Sequence, residues 1–442
     1  MAKVIKFGGS SLADANQFRK AAEIIHADKH RRYVIPSAPG KRFGADVKVT
    51  DMLYACYDAV LAGANALPEF RPIANRFNEI ISDLGLAISL DGEYDRIIES
   101  FKKKSGRDYA ASRGEYLNGL ILANFIGYDF VDAAKAVHFR PDGTFDADLT
   151  DASLSMILGG YKRAVLPGFY GAKPCGTIKT FSRGGSDFTG SIVAKAIKAS
   201  LYENWTDVSG FLVADPRIVE NPAGIETITY RELRELSYMG AGVLHEDAIF
   251  PVREAKIPIN IKNTNQPDAH GTMITPSADI SKQDQAQIIT GIAGKKNFSV
   301  IHIEKDEMNN EIGFLRRILT LFETEGVNFE HIPTGIDTMS IVVSSDVLEK
   351  HPDLPDLINK VARPGHLEIE HNLALIAVVG RGMKERRGTA TRIFAALSHA
   401  RINIRTIDQG SSELNIIVGV NEDDFEKAIK AIYNALVLGE ER

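Results

Sequence analysis

The feature that most constrains the fold of this chain of 442 residues is an internal duplication near its C-terminal end. Shifting the sequence by 75 residues lays residues 299–346 over residues 374–421 without a gap. Eight identical pairs support it: Gly313 and Gly388, Arg317 and Arg392, Ile318 and Ile393, Asn328 and Asn403, Ile332 and Ile407, Gly335 and Gly410, Ile341 and Ile416, Val343 and Val418. Each copy has a strand, a glycine-started helix, two strands around a glycine turn, and a trailing helix (347–361; 423–436). The pattern predicts two α+β modules of about 75 residues.

Two interpretations of the duplicated modules remain open. Two small α+β modules beside a larger domain are typical of proteins that sense a ligand, and their exposed sheet edges favour contacts between subunits. The alternative is a duplicated packing module that binds no ligand. The first interpretation predicts that the C-terminal part of the chain is regulatory.

The N-terminal part of the chain alternates between strand and helix patterns. Residues 3–7 predict a buried strand, residues 11–30 a helix and residues 33–37 a second strand. This succession predicts a mostly parallel sheet flanked by helices. Further helices are predicted over 52–66, 73–90 and 187–200, and further strands over 164–171, 203–212 and 257–262.

A polar, proline-containing stretch at 276–288 is typical of a linker. It separates the α/β pattern from the duplicated modules. We therefore predict an α/β domain followed by two α+β domains. Their expected limits are residues 1–285, 286–370 and 371–442.

Composition excludes several classes of protein. With 52 basic and 58 acidic residues the net charge is −6, which disfavours nucleic-acid binding. The two cysteines, Cys56 and Cys175, can form neither a disulfide framework nor a zinc ribbon, and they suit a reducing compartment. No apolar run approaches the ~18 residues that span a bilayer, and the first residues lack the apolar segment of a signal peptide. We expect a cytoplasmic protein that does not enter membranes.

Two glycine-rich loops follow predicted strands. The first, KFGGSS at 6–11, combines Lys6 with backbone that can approach an anion at the start of a helix. Alone it is a weak signal, because a solvated strand-to-helix turn has the same pattern. The second, FSRGGSDFTG at 181–190, carries Arg183, a fork for a carboxylate, and Asp187 at a helix start. Together the loops indicate a cleft for phosphoryl transfer.

Three further stretches carry polar residues at places where ligands bind. The run TDVSGFLVADPR at 206–217 puts the pair Thr206 and Asp207 at a strand end, which is the usual ligand edge of an open α/β sheet. A capped loop is a reasonable alternative explanation for Asp215, and less so for the pair. SAPG at 37–40 follows the second strand. In RGEYLNG at 113–119, Glu115 is expected to begin an apolar helix. A glutamate at a helix start can be a partner of the helix dipole without any role in ligand binding.

In this order, these motifs, with YMGAGVLH at 238–245 and IKNTNQP at 261–267, resemble those of the aspartate kinases of the amino-acid kinase superfamily. The duplicated modules resemble the paired ACT domains of that family, including GSSELNI at 410–416. The resemblance covers nearly the whole chain. It implies transfer of the γ-phosphoryl group of ATP to the β-carboxylate of L-aspartate, the first step toward lysine, threonine and methionine, with Mg²⁺ carried by the nucleotide.

The resemblance also implies roles for individual residues. The catalytic residues would be Lys6 and Asp187. The aspartate-binding residues would be Ser37, Thr50, Glu115, Arg183, Gly184, Gly185 and Ser186. The nucleotide-binding residues would be Lys6, Gly8, Gly9, Ser10, Thr206, Asp207, Leu212, Asp215, Arg217, Lys262 and Asn263. The effector-binding residues would be Met308, Gly313, Phe314, Leu315, Asn328 and Glu330, with lysine favoured over threonine because Glu330 is acidic. The duplicated modules would also join subunits into a homodimer or a dimer of dimers.

The sequence departs from the family pattern at several places. Leu212 stands where relatives usually carry a tyrosine that can lie against adenine, and the loop between Gly40 and Thr50 is longer than in many relatives. Two alternatives stay open: a kinase of the same superfamily that acts on another carboxylate, and a catalytically inactive amino-acid sensor. Lys6, Arg183 and Asp187 are all present, which argues against the sensor.

Overall fold

The computed structural model describes residues 2–182, 184–242, 246–276, 289–384, 386–410 and 412–439. The predicted aspartate ligand Arg183, nearly all of the predicted linker, residues 243–245 of the YMGAGVLH motif and Ser411 of GSSELNI therefore lie outside the described residues. The chain divides into two compact units. The first consists of Met1–Phe211, Gly224–Tyr230 and Gly242–Ile280, and the second of Leu212–Ala223, Arg231–Ala241 and Ser281–Arg442.

The first unit is built on an eight-stranded sheet with the order β3-β4-β2-β1-β7-β9-β10-β8. Its strands are β1 (Lys3–Phe7), β2 (Arg31–Pro36), β3 (Asp129–Phe130), β4 (Ala164–Val165), β7 (Leu201–Thr206), β8 (Thr227–Thr229), β9 (Ile259–Asn263) and β10 (Thr272–Thr275), and β5 (Tyr170–Ala172) with β6 (Ile178–Thr180) forms a separate hairpin. The central strand β1 is parallel to β2 and β7, and β7 to β9; β10 is antiparallel to β9. The predicted mostly parallel sheet is confirmed.

Helices flank this sheet. In chain order they are α1 (Ala15–Ala27), α2 (Val49–Leu61), α3 (Ala66–Asp83), α4 (Asp91–Lys102), α5 (Arg107–Ile126), α6 (Ala147–Gly159), α7 (Gly185–Ala196) and α9 (Phe250–Glu254), whereas α8 (Tyr230–Tyr238) belongs to the second unit except for its first residue. Apolar side chains from α1 to α5 share one buried cluster with β1 and β2. Burial on both faces explains why β1 has apolar residues at the consecutive positions Val4 and Ile5 instead of a strict alternation with polar residues.

Several element limits differ from the predictions. The helix expected over 11–30 is a short 3₁₀ turn, Ser10–Leu12, followed by α1, whose N-terminus is capped by the Asp14 carboxylate through the Gln17 N–H at 3.0 Å. The stretch expected as one helix over 73–90 contains the last eleven residues of α3, 73–83, and then a loop. Glu115 lies in the middle of α5, so its interpretation as a helix-start residue is wrong.

The second unit contains one five-stranded sheet with the order β12-β11-β13-β15-β14. Its strands are β11 (Gly291–Glu304), β12 (Thr338–Ser344), β13 (His366–Val379), β14 (Ile404–Asp408) and β15 (Asn415–Asn421). Its helices after α8 are α10 (Phe314–Thr324), α11 (Ser345–Lys350), α12 (Leu354–Ala362), α13 (Thr389–His399) and α14 (Phe425–Tyr433), which continues as a π-helical turn, Asn434–Leu438.

The two long strands β11 and β13 are shared by both copies of the repeat. They pair antiparallel over their whole length. Ile301 is opposite Ile369, and the residues equivalent to these two in the other copy, Ile376 and Gly294, are also opposite each other. Asn297 and Asn372, also 75 residues apart, both have positive φ, at 73° and 62°. The left-handed conformation, which asparagine tolerates, accompanies a shift of the pairing register at the equivalent place in each long strand. The duplication therefore appears in the structure as an approximate two-fold axis between β11 and β13.

The copies differ from the predicted pattern in two places. In the first copy, the strand expected around Asn328 is reduced to two isolated bridges, His331 with Val342 and Thr334 with Met339. Pro333 between them has no N–H for a ladder, whereas the second copy forms β14. The trailing helix expected over 347–361 is divided into α11 and α12, with Pro352 in the gap. Among the helices of the described residues, none is long and apolar enough to cross a membrane.

Candidate active site

Lys6 forms the centre of the candidate site at the end of β1. Its side chain is almost buried, with the residue 7% exposed, and its Nζ lies 2.6 Å from Asp187 Oδ1 on the first turn of α7. Lys6 Nζ also donates to Asn204 Oδ1 at 3.4 Å, and Asn204 Nδ2 donates to the same Asp187 oxygen at 2.8 Å. The structure thus brings together the two residues expected to be catalytic.

Close packing against residues 168–169, in the loop after β4, explains the glycines that begin α7. Gly184 has a φ of 74° and precedes the helix, and a Cβ on Gly185 would lie 2.5 Å from a Phe169 ring carbon. Ser186 is buried, and a Cβ on Gly168 would lie 2.7 Å from its Cβ. Only glycines at these positions allow the first turn of α7, and with it Asp187, to approach the sheet.

The KFGG loop packs directly on the SAPG loop. Gly40 N–H donates to the Gly9 carbonyl at 2.8 Å, and a Cβ on Gly9 would lie 2.8 Å from the Ala38 carbonyl oxygen. Ser37 N–H donates to the Phe7 carbonyl at 3.1 Å, which places Ser37 beside the first loop. The close contact joins Gly8, Gly9 and Ser10, expected to bind phosphate, to a loop expected to bind aspartate.

Glu115 lies under the SAPG loop, on α5. It is 5% exposed, and a Cβ on the preceding Gly114 would lie 2.7 Å from the Ala38 Cβ. Burial raises the pKa of the Glu115 carboxyl to about 8, although a hydrogen bond from the Ala38 N–H acts in the opposite direction. Among the described residues, Glu115 Oε2 has no hydrogen-bond partner, nor has Oδ1 of Asn118, whose Nδ2 donates to the Ser37 carbonyl at 2.7 Å.

The long loop before Thr50 is held by two ion pairs of Asp46. Asp46 Oδ2 lies 2.8 Å from Arg42 Nε and 2.7 Å from Nη1 of the buried Arg76, whose Nη2 donates to the Gly40 carbonyl at 2.9 Å. Hydrogen bonds from Arg42, and further from Arg76, hold the pKa of Asp46 well below its usual range. Thr50 is half-buried in the first turn of α2. The loop is therefore tied to the SAPG loop that it follows.

The ends of β7 and β9 supply the residues expected on the nucleotide side. Thr206 Oγ1 donates to Asp207 Oδ1 at 3.1 Å, and the Thr206 carbonyl accepts from Thr264 N–H at 2.9 Å. Asn263 is opposite Thr206 in the parallel register, and its Nδ2 donates to Ser209 Oγ at 2.9 Å. These groups lie at the same edge of the sheet as the end of β1.

Lys262 lies on the other face of that sheet. In register it is opposite Trp205, whereas Lys6 is opposite Asn204, and neighbouring residues of a strand point to opposite faces. Lys262 Nζ lies 5.1 Å from the centre of the Trp205 ring, and burial lowers its pKa. The predicted nucleotide ligand Lys262 is therefore not beside Lys6.

The remaining predicted nucleotide residues belong to the second unit. Arg217 Nη2 lies 2.6 Å from Asp215 Oδ2, and this hydrogen-bonded contact lowers the pKa of Asp215. Leu212 is partly exposed. Asp215 and Arg217 thus pair with each other.

The predicted effector residues of the first module divide into two groups. Met308 and Phe314 are buried and pack in the core of that module, so an effector could meet only their backbone. Gly313 has a φ of 82° and precedes α10, and Leu315 is partly exposed on that helix. Asn328 is exposed in the loop after it.

Glu330 has a partner that the sequence did not indicate. It is half-buried, and the Tyr238 hydroxyl donates to its Oε2 at 2.6 Å. Burial is the larger cause and the hydrogen bond to Glu330 the next, and together they raise the pKa of Tyr238 to about 12. Lys295 Nζ lies 5.1 Å from the centre of the Tyr238 ring. The carboxylate expected to face an effector is thus hydrogen-bonded to the last residue of α8.

One face of α8 carries two more polar contacts within the second unit. Glu232 is fully buried, and its carboxylate lies 2.9 Å from Arg381 Nη1. Glu235 Oε2 accepts from Asn415 Nδ2 at 2.6 Å. Residues 232, 235 and 238 lie at the spacing of one helix face, so α8 contacts both copies of the repeat.

Sequence reasoning missed Asn204, Asn118 and Thr264. Asn204 and Asn118 contact predicted site residues from elements far away in sequence, and Thr264 Oγ1 donates to Ser11 Oγ at 2.7 Å in a buried contact. For Asn118 and Thr264 the only available signal was their place within the RGEYLNG and IKNTNQP motifs. For Asn204 it was a polar residue in the middle of a buried strand.

The groups at this edge of the sheet suit an anionic nucleotide. One nearly buried ammonium, two glycine loops without side chains and several hydroxyls and amides are the donors that phosphates require. Among the described residues, no three His, Cys, Asp or Glu side chains are grouped so as to hold a metal ion.

Comparisons with known proteins agree with this arrangement. Residues 1–263 match the amino acid kinase family and residues 376–436 an ACT domain. Aspartokinase 3 of Bacillus subtilis is 38% identical over 455 residues, which cover 99% of each chain. The crystal structure of Clostridium acetobutylicum aspartate kinase has 51% identity and a TM-score of 0.89, covering 98% of this chain and 99% of that one. Two structures of E. coli aspartokinase III share the fold, each with a TM-score of 0.73 and each covering 99% of this chain. The structure with aspartate and ADP has 23% identity and is covered to 100%, and the structure with lysine and aspartate has 24% identity and is covered to 99%.

Proposed function

This chain belongs to the amino acid kinase family and, within it, to the aspartokinases, and on that premise we propose the reaction that its site performs. The γ-phosphoryl group of MgATP passes to the β-carboxylate of L-aspartate and gives 4-phospho-L-aspartate and ADP. The observation that carries the proposal is the Lys6–Asp187 contact between two glycine loops at the carboxyl edge of the parallel sheet.

The difficulty of this reaction is electrostatic. A carboxylate oxygen is already a nucleophile, so no strong general base is needed, but an anion must attack a phosphoryl group that carries further negative charge. Lys6 opposes that charge, and Asp187 fixes the position of its ammonium group. Mg²⁺ bound to the nucleotide supplies further charge neutralisation.

Aspartate is held from the side of the SAPG loop. Glu115 takes the ammonium group, because its buried Oε2 has no protein partner among the described residues. Ser37 and Thr50 hydrogen-bond carboxylate oxygens from the loop and from the start of α2. Arg183 stays the predicted clamp for a substrate carboxylate. The E. coli relative whose structure contains aspartate and ADP supports this pair of ligands.

The nucleotide is held at the ends of β1, β7 and β9. Gly8, Gly9 and Ser10 supply close backbone, and Thr206, Asp207 and Asn263 supply polar groups at the adjacent strand ends. Asp215 and Arg217 stay predicted contacts. Because Lys262 lies against Trp205 on the opposite face, we assign it a supporting position under β7 rather than a phosphate contact.

An amino acid controls the reaction through the duplicated modules, with lysine favoured. The E. coli relative whose structure contains lysine supports this effector. In the first module, an effector would meet backbone groups at 312–315 and the carboxylate of Glu330. A coupling of about 1–3 kcal/mol is enough for 5- to 150-fold inhibition.

The first module also supplies the contact between subunits. Ile312 is 98% exposed, and Leu315, Phe329 and Ile336 of the same module are also exposed. Exposed apolar side chains that together form a patch are typical of a subunit interface. We propose a homodimer or a dimer of dimers formed through this patch. A cytoplasmic location, which the two cysteines favour, completes the proposal.

One assay tests the reaction. ATP and L-aspartate are incubated with hydroxylamine, which traps an acyl phosphate as a hydroxamate, with and without lysine or threonine. Native protein should form hydroxamate, and Lys6→Ala should lose more than 90% of kcat, a barrier change above ~1.4 kcal/mol. Binding of lysine without any turnover would instead identify an inactive sensor, and turnover with another carboxylate alone would identify a different kinase.

A further inference from the structure

We propose that Asn204 is a positioning residue for phosphoryl transfer, which holds the Lys6 ammonium and the Asp187 carboxylate in their working arrangement. The inference rests on the proposed function and adds a residue to its site. Asn204 is 3% exposed and touches both charged groups, at 3.4 Å and 2.8 Å.

The chemistry of the two partners determines the orientation of the amide. A lysine ammonium only donates hydrogen bonds and an ionised carboxylate only accepts them. The Asn204 carbonyl oxygen must therefore face Lys6, and its NH₂ group must face Asp187. Reversing the amide would set NH₂ against the ammonium and oxygen against the carboxylate, so the side chain has one stable orientation.

The arrangement leaves Lys6 ready for a third partner. An ammonium group has three N–H bonds. Asp187 takes one and the Asn204 carbonyl takes a second, which leaves one for a phosphoryl oxygen. With Asp187 alone, the ammonium could rotate about its own bond and turn toward the carboxylate. Two fixed acceptors from different elements restrict that rotation.

The backbone holds Asn204 where it can perform this role. It is opposite Lys6 in the register between β1 and β7, so the two side chains leave the sheet on the same face. Two residues earlier on that face, the Tyr202 hydroxyl donates to the Asp187 carbonyl at 3.2 Å. Tyr202 and Asn204 thus both hold the first turn of α7, but only Asn204 touches the charged atoms of the pair. Tyr202→Phe is therefore a matched control.

The test compares Asn204→Leu with Tyr202→Phe in the hydroxamate assay. Asn204→Leu should lower kcat by about 10- to 100-fold, because a small misplacement of a catalytic group is costly, while KM for aspartate stays within twofold. Tyr202→Phe should retain at least half of native kcat. Equal losses in the two variants would mean that Asn204 only packs α7 against the sheet, and would overturn the proposal.

Asn204→Asp adds a readout that a packing role would not change. The new carboxyl would face Lys6, Asp187 and the neutral Tyr202 hydroxyl, and two carboxyls that share a site raise the pKa of one of them. Below that raised value the new side chain is neutral and substitutes for the amide. Activity relative to native protein should therefore rise as pH falls from about 8 to about 6. A ratio that does not change with pH contradicts the assigned contacts.

A binding measurement separates this proposal from the proposed reaction. Calorimetry without aspartate compares the affinities for MgATP and MgADP, whose difference reports the contact of Lys6 with the terminal phosphoryl group. Asn204→Leu should reduce that preference several-fold, and Tyr202→Phe should keep it. If native protein binds MgATP but forms no hydroxamate, the reaction assigned above is wrong, and the nucleotide preference still decides the role of Asn204.

Discussion

The buried carboxyl of Glu115 predicts a pH dependence of stability that one substitution removes. Burial raises its pKa to about 8 from an ordinary 4.5. Between these values the folded protein keeps a proton that the unfolded chain has lost, so stability falls as pH rises and stops falling above the folded value. Glu115→Gln keeps the size of the protonated side chain and has no proton to lose.

The expected magnitude follows from the width of that interval. The free energy of unfolding of Glu115→Gln minus that of native protein should rise by about 1.4 kcal/mol per pH unit. Between pH 5 and pH 8 the rise is about 4 kcal/mol. All other titrating groups are common to both proteins, so their contributions cancel in the difference at each pH.

Urea unfolding followed by tryptophan fluorescence measures this difference. Trp205 is the single tryptophan of the sequence and is 1% exposed in the first unit, the same unit as Glu115. Glu23→Gln, on the exposed side of α1, is the control and should differ from native protein by no more than about 0.5 kcal/mol at any pH. A difference for Glu115→Gln that stays flat between pH 5 and pH 8 would refute the argument.

Aspartate binding provides a second measurement on the same group. A substrate ammonium beside Glu115 favours the charged carboxylate, so binding near pH 7 should release a proton into the buffer. Calorimetry in buffers of different ionisation enthalpy should then give different binding enthalpies for native protein and one common enthalpy for Glu115→Gln. Equal enthalpies for native protein would place the ammonium elsewhere.

Three further substitutions test the surroundings of the site and the second unit. Gly9→Ala sets a Cβ 2.8 Å from a backbone oxygen and should cost about 1–3 kcal/mol in a thermal melt, whereas Gly44→Ala, with no atom within 4 Å of the new Cβ, should cost nothing measurable. Asp46→Asn leaves the buried Arg76 without its charged partner and should lower the free energy of unfolding by about 3 kcal/mol near neutral pH. Because the pKa of Asp46 is lowered from 3.8, this loss should shrink in urea titrations as pH falls below that value. Asn372→Ala forces alanine into the left-handed region and should destabilise the second unit by about 1 kcal/mol, while Asn372→Gly should not.

Local patterns predicted the elements that carry the site, but not all of their limits. The strand at 3–7 is confirmed without change, because its apolar residues Val4, Ile5 and Phe7 are buried on both faces of the sheet. The predicted start of α5 at Glu115 was wrong. The preceding Gly114 lies inside the helix and serves the contact with Ala38, which is distant in sequence. The predicted domain limits stay predictions.

The partners of Lys6 and Asp187 depend on which strands become neighbours. Lys6 and Asn204 are 198 residues apart and meet because β1 and β7 are adjacent in the sheet. Lys262 is opposite Trp205 in register, and this pairing places it on the far face despite its position at a strand end. Motifs identified the residue types, and only the order of the strands identified their contacts.

The shared strands β11 and β13 determine how the C-terminal part of the chain can be divided. Residues 291–295 pair with 375–379 and so complete the sheet of the second copy, although they precede the first copy in sequence. The first copy is thus inserted into the second, and a fragment that begins at residue 371 lacks an edge strand. We expect amide hydrogen exchange to show β11 and β13 opening together as one cooperative unit. A substitution in either long strand therefore perturbs both copies, and neither copy can vary independently of the other.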